Sequence, residues 1–166
     1  MNHLEDLFLS DEKSYGPCYK EHLLEQYKLA VEMADNVSSR RQSSNRFFLT
    51  IITALIAVMG AATTQQARMR LDLIWVLAVS LSGIVLCLAW HFTIVSYKQL
   101  NESKFSIINK IEERLPASIF SEEWQQLNKG SNYKPLTTVE KYVPWVFLTL
   151  HLLMLSISTC MIVFLA

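Results

Sequence analysis

Leu73-Ile-Trp-Val-Leu-Ala-Val-Ser-Leu-Ser-Gly-Ile-Val-Leu-Cys-Leu-Ala-Trp-His-Phe-Thr-Ile-Val-Ser-Tyr97 contains no Asp, Glu, Lys or Arg. A run of this length and polarity is long enough to cross a bilayer as a helix. Two further runs share the property. Phe47–Thr64 is also free of charge, and its 18 residues span roughly 27 Å at about 1.5 Å per residue, close to the hydrocarbon thickness. Tyr142–Ala166 is the third. A chain of 166 residues suits one compact unit. It has no soluble core large enough to hide three such helices. The expected fold is therefore an all-α integral membrane protein with three transmembrane helices, the first two forming a long antiparallel hairpin that extends into the cytoplasm.

The basic residues set the orientation. Up to Arg46 there are six Lys or Arg, including Arg40, Arg41 and Arg46 beside the first apolar run. From Lys98 to Lys141 there are seven, while the loop between the first two runs holds only Arg68 and Arg70. Cytoplasmic segments are the ones enriched in Lys and Arg. The N-terminus is thus expected in the cytoplasm and the C-terminus on the far side, periplasmic or extracellular. Tyr97, Tyr142 and Trp145 at one boundary, and Trp75 at the other, fit an aromatic belt. Asp72 stands where it can complement the start of the second transmembrane helix. A signal peptide is not expected, because the first apolar run begins only at Phe47.

These boundaries divide the chain into an N-terminal segment (1–18), a cytoplasmic helix (19–46), transmembrane helix 1 (47–64), an outer loop (65–72), transmembrane helix 2 (73–97), a cytoplasmic helical region (98–141) and transmembrane helix 3 (142–166). Tyr19–Thr64 contains no proline. Within it Leu23, Tyr27, Ala30, Ala34 and Val37 recur at steps of four and three, the seam of packed helices. Leu100, Ile107, Ile108, Ile111 and Leu115 continue an apolar stripe beyond the second run until Pro116 stops it. Counting outward from Gln66 and Ala67 places Tyr27 beside Ile108 and Leu24 beside Ile111. Ser121-Glu-Glu-Trp124 reads as a helix start capped by Ser121, with Trp124 and Leu127 packing that helix inward. Asn128–Pro135 reads as a turn-rich connection. Thr137-Thr-Val-Glu140 reads as a capping box, and Pro144 either kinks the third helix or moves its start one turn later.

Little in the chain suggests chemistry. Lys plus Arg equal Asp plus Glu, 15 against 15, so no charge excess points to nucleic acid. There is no Walker loop, dinucleotide fingerprint, zinc motif or nucleophile elbow, and no cofactor is expected. Cys18, Cys87 and Cys160 lack metal-ligand spacing and read as small packing residues. Glu112 with Glu113, and Glu122 with Glu123, read as solvated or capping charges. The chain is not expected to be an enzyme. His91 and His151, inside the second and third runs, allow three readings: neutral rings bonded to neighbours, a pore or pH-sensing pair, or a metal site. With Ser80, Ser82 and Thr93 they are the candidates for lining a pore or for polar packing. Tyr27, Ile108, Ile111 and Trp124 are the candidates for helix or oligomer packing. Thr53, Ala57, Gly60, Ala61 and Thr64 in the first run, and Ala78, Ser82, Gly83 and Cys87 in the second, form small-residue faces that permit close helix approach.

Ser96-Tyr-Lys-Gln-Leu-Asn-Glu-Ser-Lys-Phe-Ser-Ile-Ile-Asn-Lys-Ile-Glu-Glu-Arg-Leu-Pro116 resembles the region after the second span in RipA-family octameric bacterial membrane proteins. Glu123-Trp124, Lys129-Gly130, Thr138-Val-Glu140, Val143-Pro-Trp-Val-Phe147, Tyr27-Lys-Leu-Ala-Val-Glu-Met-Ala-Asp35 and Ser38-Ser-Arg-Arg41 are similar too. The resemblance covers the chain from about Tyr19 onward. It implies a homo-oligomer of the bacterial inner membrane, most simply an octamer, without assigning catalytic residues. The layout is also similar to SLATT-type small membrane effectors of bacterial conflict, thought to perforate membranes, although those usually have two spans. The expected function is a homo-oligomeric inner-membrane protein that forms or gates a membrane pathway, as a conflict or stress effector. The alternative is a non-conducting scaffold or regulator that binds a cytoplasmic protein partner. Expected partners are membrane lipids and further copies of the chain.

Overall fold

The computed structural model describes residues 7–62, 69–130 and 136–164, leaving aside the side chains at 61–62, 69–72, 130 and 137. Most of the outer loop with Gln66 and Arg68, the side chains of Arg70, Asp72 and Thr137, most of the connection after Asn128, and Ala166 lie outside what is described. Among the described residues there are six helices and no strand: α1 Glu12–Tyr15, α2 Tyr19–Ala62, α3 Met69–Glu112, α4 Ile119–Gly130, α5 Leu136–Glu140 and α6 Val143–Phe164. Three stretches, within Tyr19–Gly60, Leu73–Glu112 and Thr138–Phe164, are long and apolar enough to cross a membrane.

The chain forms two compact units rather than the single one its length suggests. One comprises Met1–Arg40 and Tyr97–Tyr133, the other Arg41–Ser96 and Lys134–Ala166. The division follows solvent. The charge-free runs belong to the second, apolar unit, and most of the ionisable residues to the first, polar unit. Apolar side chains facing lipid and charged ones facing water cannot share one core.

In the polar unit the core is formed by Leu23, Ala34, Val37, Ile108 and Ile111, all buried. Tyr27 and Ala30 are half-buried on the same seam. The seam runs through Leu23 as its spacing predicts, whereas Leu24, which counting places beside Ile111, is 42% exposed; Leu100 is 45% exposed, so the α3 stripe begins after it. α3 ends at Glu112, short of Leu115. The Arg114 and Leu115 amides donate to Ile111 and Glu112 carbonyls in a tightened last turn, as expected where the residue before Pro116 is pushed out of helical geometry. The N-terminal segment is fastened to the same unit: Arg114 lies 3.4 Å from the centre of the Phe8 ring and donates to the Tyr19 hydroxyl at 2.7 Å.

In the apolar unit α2, α3 and α6 share a core of Ile52, Cys87, Trp90, Ile94 and Leu148, against which Phe48, Ile56, Ile84 and Phe147 pack. Along α3 the buried positions are Ser80, Gly83, Cys87, Trp90 and Ile94, spaced three and four apart as in a coiled-coil seam. α6 begins at Val143, after a turn in which the Trp145 amide donates to the Tyr142 carbonyl. Pro144 therefore sits in a first helical turn, where its missing N–H costs nothing, and does not act as a mid-helix kink.

Candidate functional site

Two polar constellations stand out, one in each unit. In the polar unit Glu112 is fully buried. Its Oε1 accepts from the Tyr27 hydroxyl at 2.9 Å and from the Phe120 amide at 3.1 Å, and its Oε2 accepts from the Ser121 amide at 3.2 Å. The last residue of α3 thus caps the first turn of α4, replacing two amide partners that a helix start lacks. A carboxylate there also complements the positive end of the helix. Ser121 is accordingly a first-turn residue with a capped amide, not the cap that its sequence context suggests. Phe120 packs edge-on against Phe105, with ring centres 5.6 Å apart. Leu127 is half-buried, whereas Ile119 and Trp124 remain 62% and 51% exposed. Burial, followed by the Glu112 hydrogen bond and charge, pushes the Tyr27 phenol up to about 12.

In the apolar unit His151 is fully buried, and neither ring nitrogen has a hydrogen-bond partner among the described residues. Its ring fills the space a side chain would occupy at Gly83: a Cβ there would overlap three of the ring atoms. Ser80, three residues earlier on the same seam, is also fully buried with an unpartnered Oγ. His91 is half-buried and lies edge-on to Trp145, with ring centres 5.2 Å apart. The two histidines do not meet. Their contacts, at positions 91 and 83 of α3, are about 12 Å apart along that helix. Ser82 and Thr93 donate to the carbonyls of Ala78 and Ala89, one turn back. Ser82 is exposed and Thr93 half-buried.

Further side chains tie α2 into this unit. The Trp90 indole donates to the Asn45 side chain at 2.9 Å and stacks on Phe48, with centres 6.0 Å apart and planes 9° from parallel. Arg41 and Glu140 lie 3.7 Å apart with side chains only 12% and 17% exposed. Glu140, read in the sequence as half of a capping box, is therefore a partner for α2. Of the small-residue faces, Gly83 and Cys87 are buried, while Thr53, Ala57, Gly60, Ala78 and Ser82 face outward, and the side chains of Ala61 and Thr64 lie outside what is described.

Sequence reasoning misses Trp90 and Asn45 as anchors, and of Glu112 it gives the capping charge but not the burial. Glu112 is four residues after Ile108 and next to Ile111, so the apolar stripe itself carries it inward. Trp90 follows Gly83 and Cys87 at seam spacing. Among the described residues no group of three or more His, Cys, Asp or Glu is arranged to hold a metal ion.

No curated protein and no solved structure matches the chain. A family model does: that of the octameric membrane protein family, over residues 24–160. That match takes in both Tyr27 and Glu112, both His91 and His151, the first two charge-free runs and most of the third. With most of its length covered, and with helices long and apolar enough to span a bilayer, the chain belongs to the octameric membrane protein family.

Proposed function

We propose that the protein is a homo-oligomer, most simply an octamer, of a bacterial inner membrane, and that its ring forms or gates a pathway through that membrane. The observation that carries this reading is the family match over residues 24–160. Surfaces left bare by one copy support it. Thr53 and Ala57 make a small, exposed face on α2, and Ile119 and Trp124 are exposed apolar side chains on α4. Small faces in membrane helices admit close neighbours, and apolar patches outside the bilayer need cover. Thirteen of the fifteen basic residues precede the first run or separate the second from the third, which favours a cytoplasmic N-terminus and a C-terminus across the membrane.

A second reading, a non-conducting scaffold, is favoured by one observation. Ser80 and His151 are enclosed within the protomer, so neither is free to line an axis shared by several copies without a rearrangement. Ser82, Thr93 and His91 are the remaining candidates for such a lining. Ion flux through liposomes, for wild type and His91→Ala at matched incorporation, separates the readings. The pathway requires flux that depends on the protein and changes in the variant. Absence of flux across a range of pH and voltage leaves the scaffold.

A further inference from the structure

The apolar unit holds an ionisable ring that is wholly enclosed and has no hydrogen-bond partner among the described residues. His151 is 0% exposed, with both nitrogens unpartnered, and its ring occupies the notch at Gly83. Ser80 on the same seam is likewise enclosed and unpartnered. Thr149, Ser156 and Ser158 on α6, by contrast, each satisfy themselves on the carbonyl one turn back.

The groups facing His151 are few. On α3 the ring meets Gly83, and the neighbouring buried positions of the same seam are Ser80 and Cys87, of which only the Cys87 thiol titrates. From α2 the apolar stretch 47–60 supplies no titratable side chain. α6 itself carries Cys160, which is exposed, and His91 on α3 is engaged with Trp145 two turns away. Segments 47–60, 73–97 and 143–164 contain no Asp, Glu, Lys or Arg. A proton added to His151 would therefore create a cation with no counter-ion beside it. Burying such a charge without a partner costs far more than a local shift of packing can supply. The imidazolium is tolerated only if the ring leaves the Gly83 notch and reaches water or headgroups.

We infer that the His151–Gly83 contact is an acid-sensitive joint, in which protonation of His151 separates α6 from α3 in the membrane-embedded unit. The inference requires membrane insertion and this helix contact; it does not depend on whether the assembly conducts.

Cys87 is a built-in reporter. It is 1% exposed and lies one turn past Gly83 on the buried seam. With Cys18→Ser and Cys160→Ser it becomes the sole thiol. The full-length protein in liposomes is treated with 4,4′-dithiodipyridine, which attacks thiols in acid as well as at neutral pH. Rates are normalised to the same protein unfolded at each pH. Lowering the pH from about 7.5 to about 5 should raise the normalised Cys87 rate by roughly tenfold or more, because each opening takes up one proton. In His151→Gln and His151→Phe, which cannot take up that proton, the rate should not change with pH. Equal wild-type rates at both pH values overturn the joint. So does an undiminished acid acceleration in whichever variant folds, since the proton would then act elsewhere.

Discussion

The ring of His151 rests on the bare Cα of Gly83, and no methyl group fits between them. Gly83 is in ordinary helical geometry within α3, so its role is to make room, not to relax the backbone. Gly83→Ala should lower the stability of the apolar unit by about 1–3 kcal/mol, the usual cost of forcing extra volume into a packed contact. Thermal unfolding in mild detergent measures the loss. Adding His151→Ala removes the clash, so the double variant should be more stable than the two single losses predict. Simple additivity would mean that the two residues do not share one contact.

Glu112 fastens the start of α4 through the Phe120 and Ser121 amides. Glu112→Ala should cost about 1–3 kcal/mol, because the Phe120 and Ser121 amides and the Tyr27 hydroxyl all lose their acceptor. Hydrogen exchange at Phe120 and Ser121 should accelerate well before exchange in α2. Tyr27→Phe should cost less, about 1 kcal/mol, since Glu112 keeps both amide donors. Unchanged exchange at Phe120 in Glu112→Ala would show that α4 is held by its apolar contacts alone.

The same pair predicts an alkaline effect. The folded Tyr27 phenol titrates near 12 because of burial and Glu112, above its value of about 10 in an unfolded chain. Its contribution to stability is complete below pH ~10 and fades as pH rises toward 12. Wild type should therefore lose stability across that window relative to Tyr27→Phe. Difference absorbance of phenolate should show one late-titrating tyrosine in wild type that is absent from the variant. Parallel stability curves for the two proteins from pH 9 to 12 would remove Tyr27 from this role.

The outward small face of α2 makes a prediction about assembly. Ala57 is exposed within one copy, so Ala57→Leu should leave the protomer fold intact. A neighbouring helix packed there would be pushed away, and the oligomer should dissociate at lower detergent concentration. Circular dichroism together with size-exclusion chromatography checks both halves. An oligomer indifferent to Ala57→Leu places the contact on another face.

The spans are legible because charge is expensive in hydrocarbon, so a run of roughly twenty residues without any charge marks a helix immersed in lipid. The seam through Leu23, Ala34 and Val37 is legible because side-chain spacing maps directly onto one helix face. The anchors are not. Glu112 meets Tyr27 across 85 residues of sequence, and beside Glu113 it looks like half of a solvated pair; only the helical rotation of about 100° per residue separates the two. Leu23 and Leu24 pose the same ambiguity, and counting from a loop midpoint selects the wrong one for the core. The notch at Gly83 is visible as a small residue, but its occupant lies on another helix. Trp124 looks like a core residue by composition, yet Phe120 and the Glu112 cap position α4 and leave Trp124 half in solvent.

Topology is checked with single cysteines in intact cells. A cysteine at Gln66 should react with an impermeant reagent added outside, and one at Ser131 should not, following the distribution of basic residues. Labelling of Ser131 alone would reverse the orientation.

Copies of this chain are expected to assemble with one another in the membrane. The most direct test is the mass of the protein extracted in native lipid nanodiscs. Eight chains of 19.1 kDa should give a dominant species with about 150 kDa of protein, retained on dilution as symmetric closed rings are. A species of one chain that persists at high protein density and in every lipid composition would contradict the account.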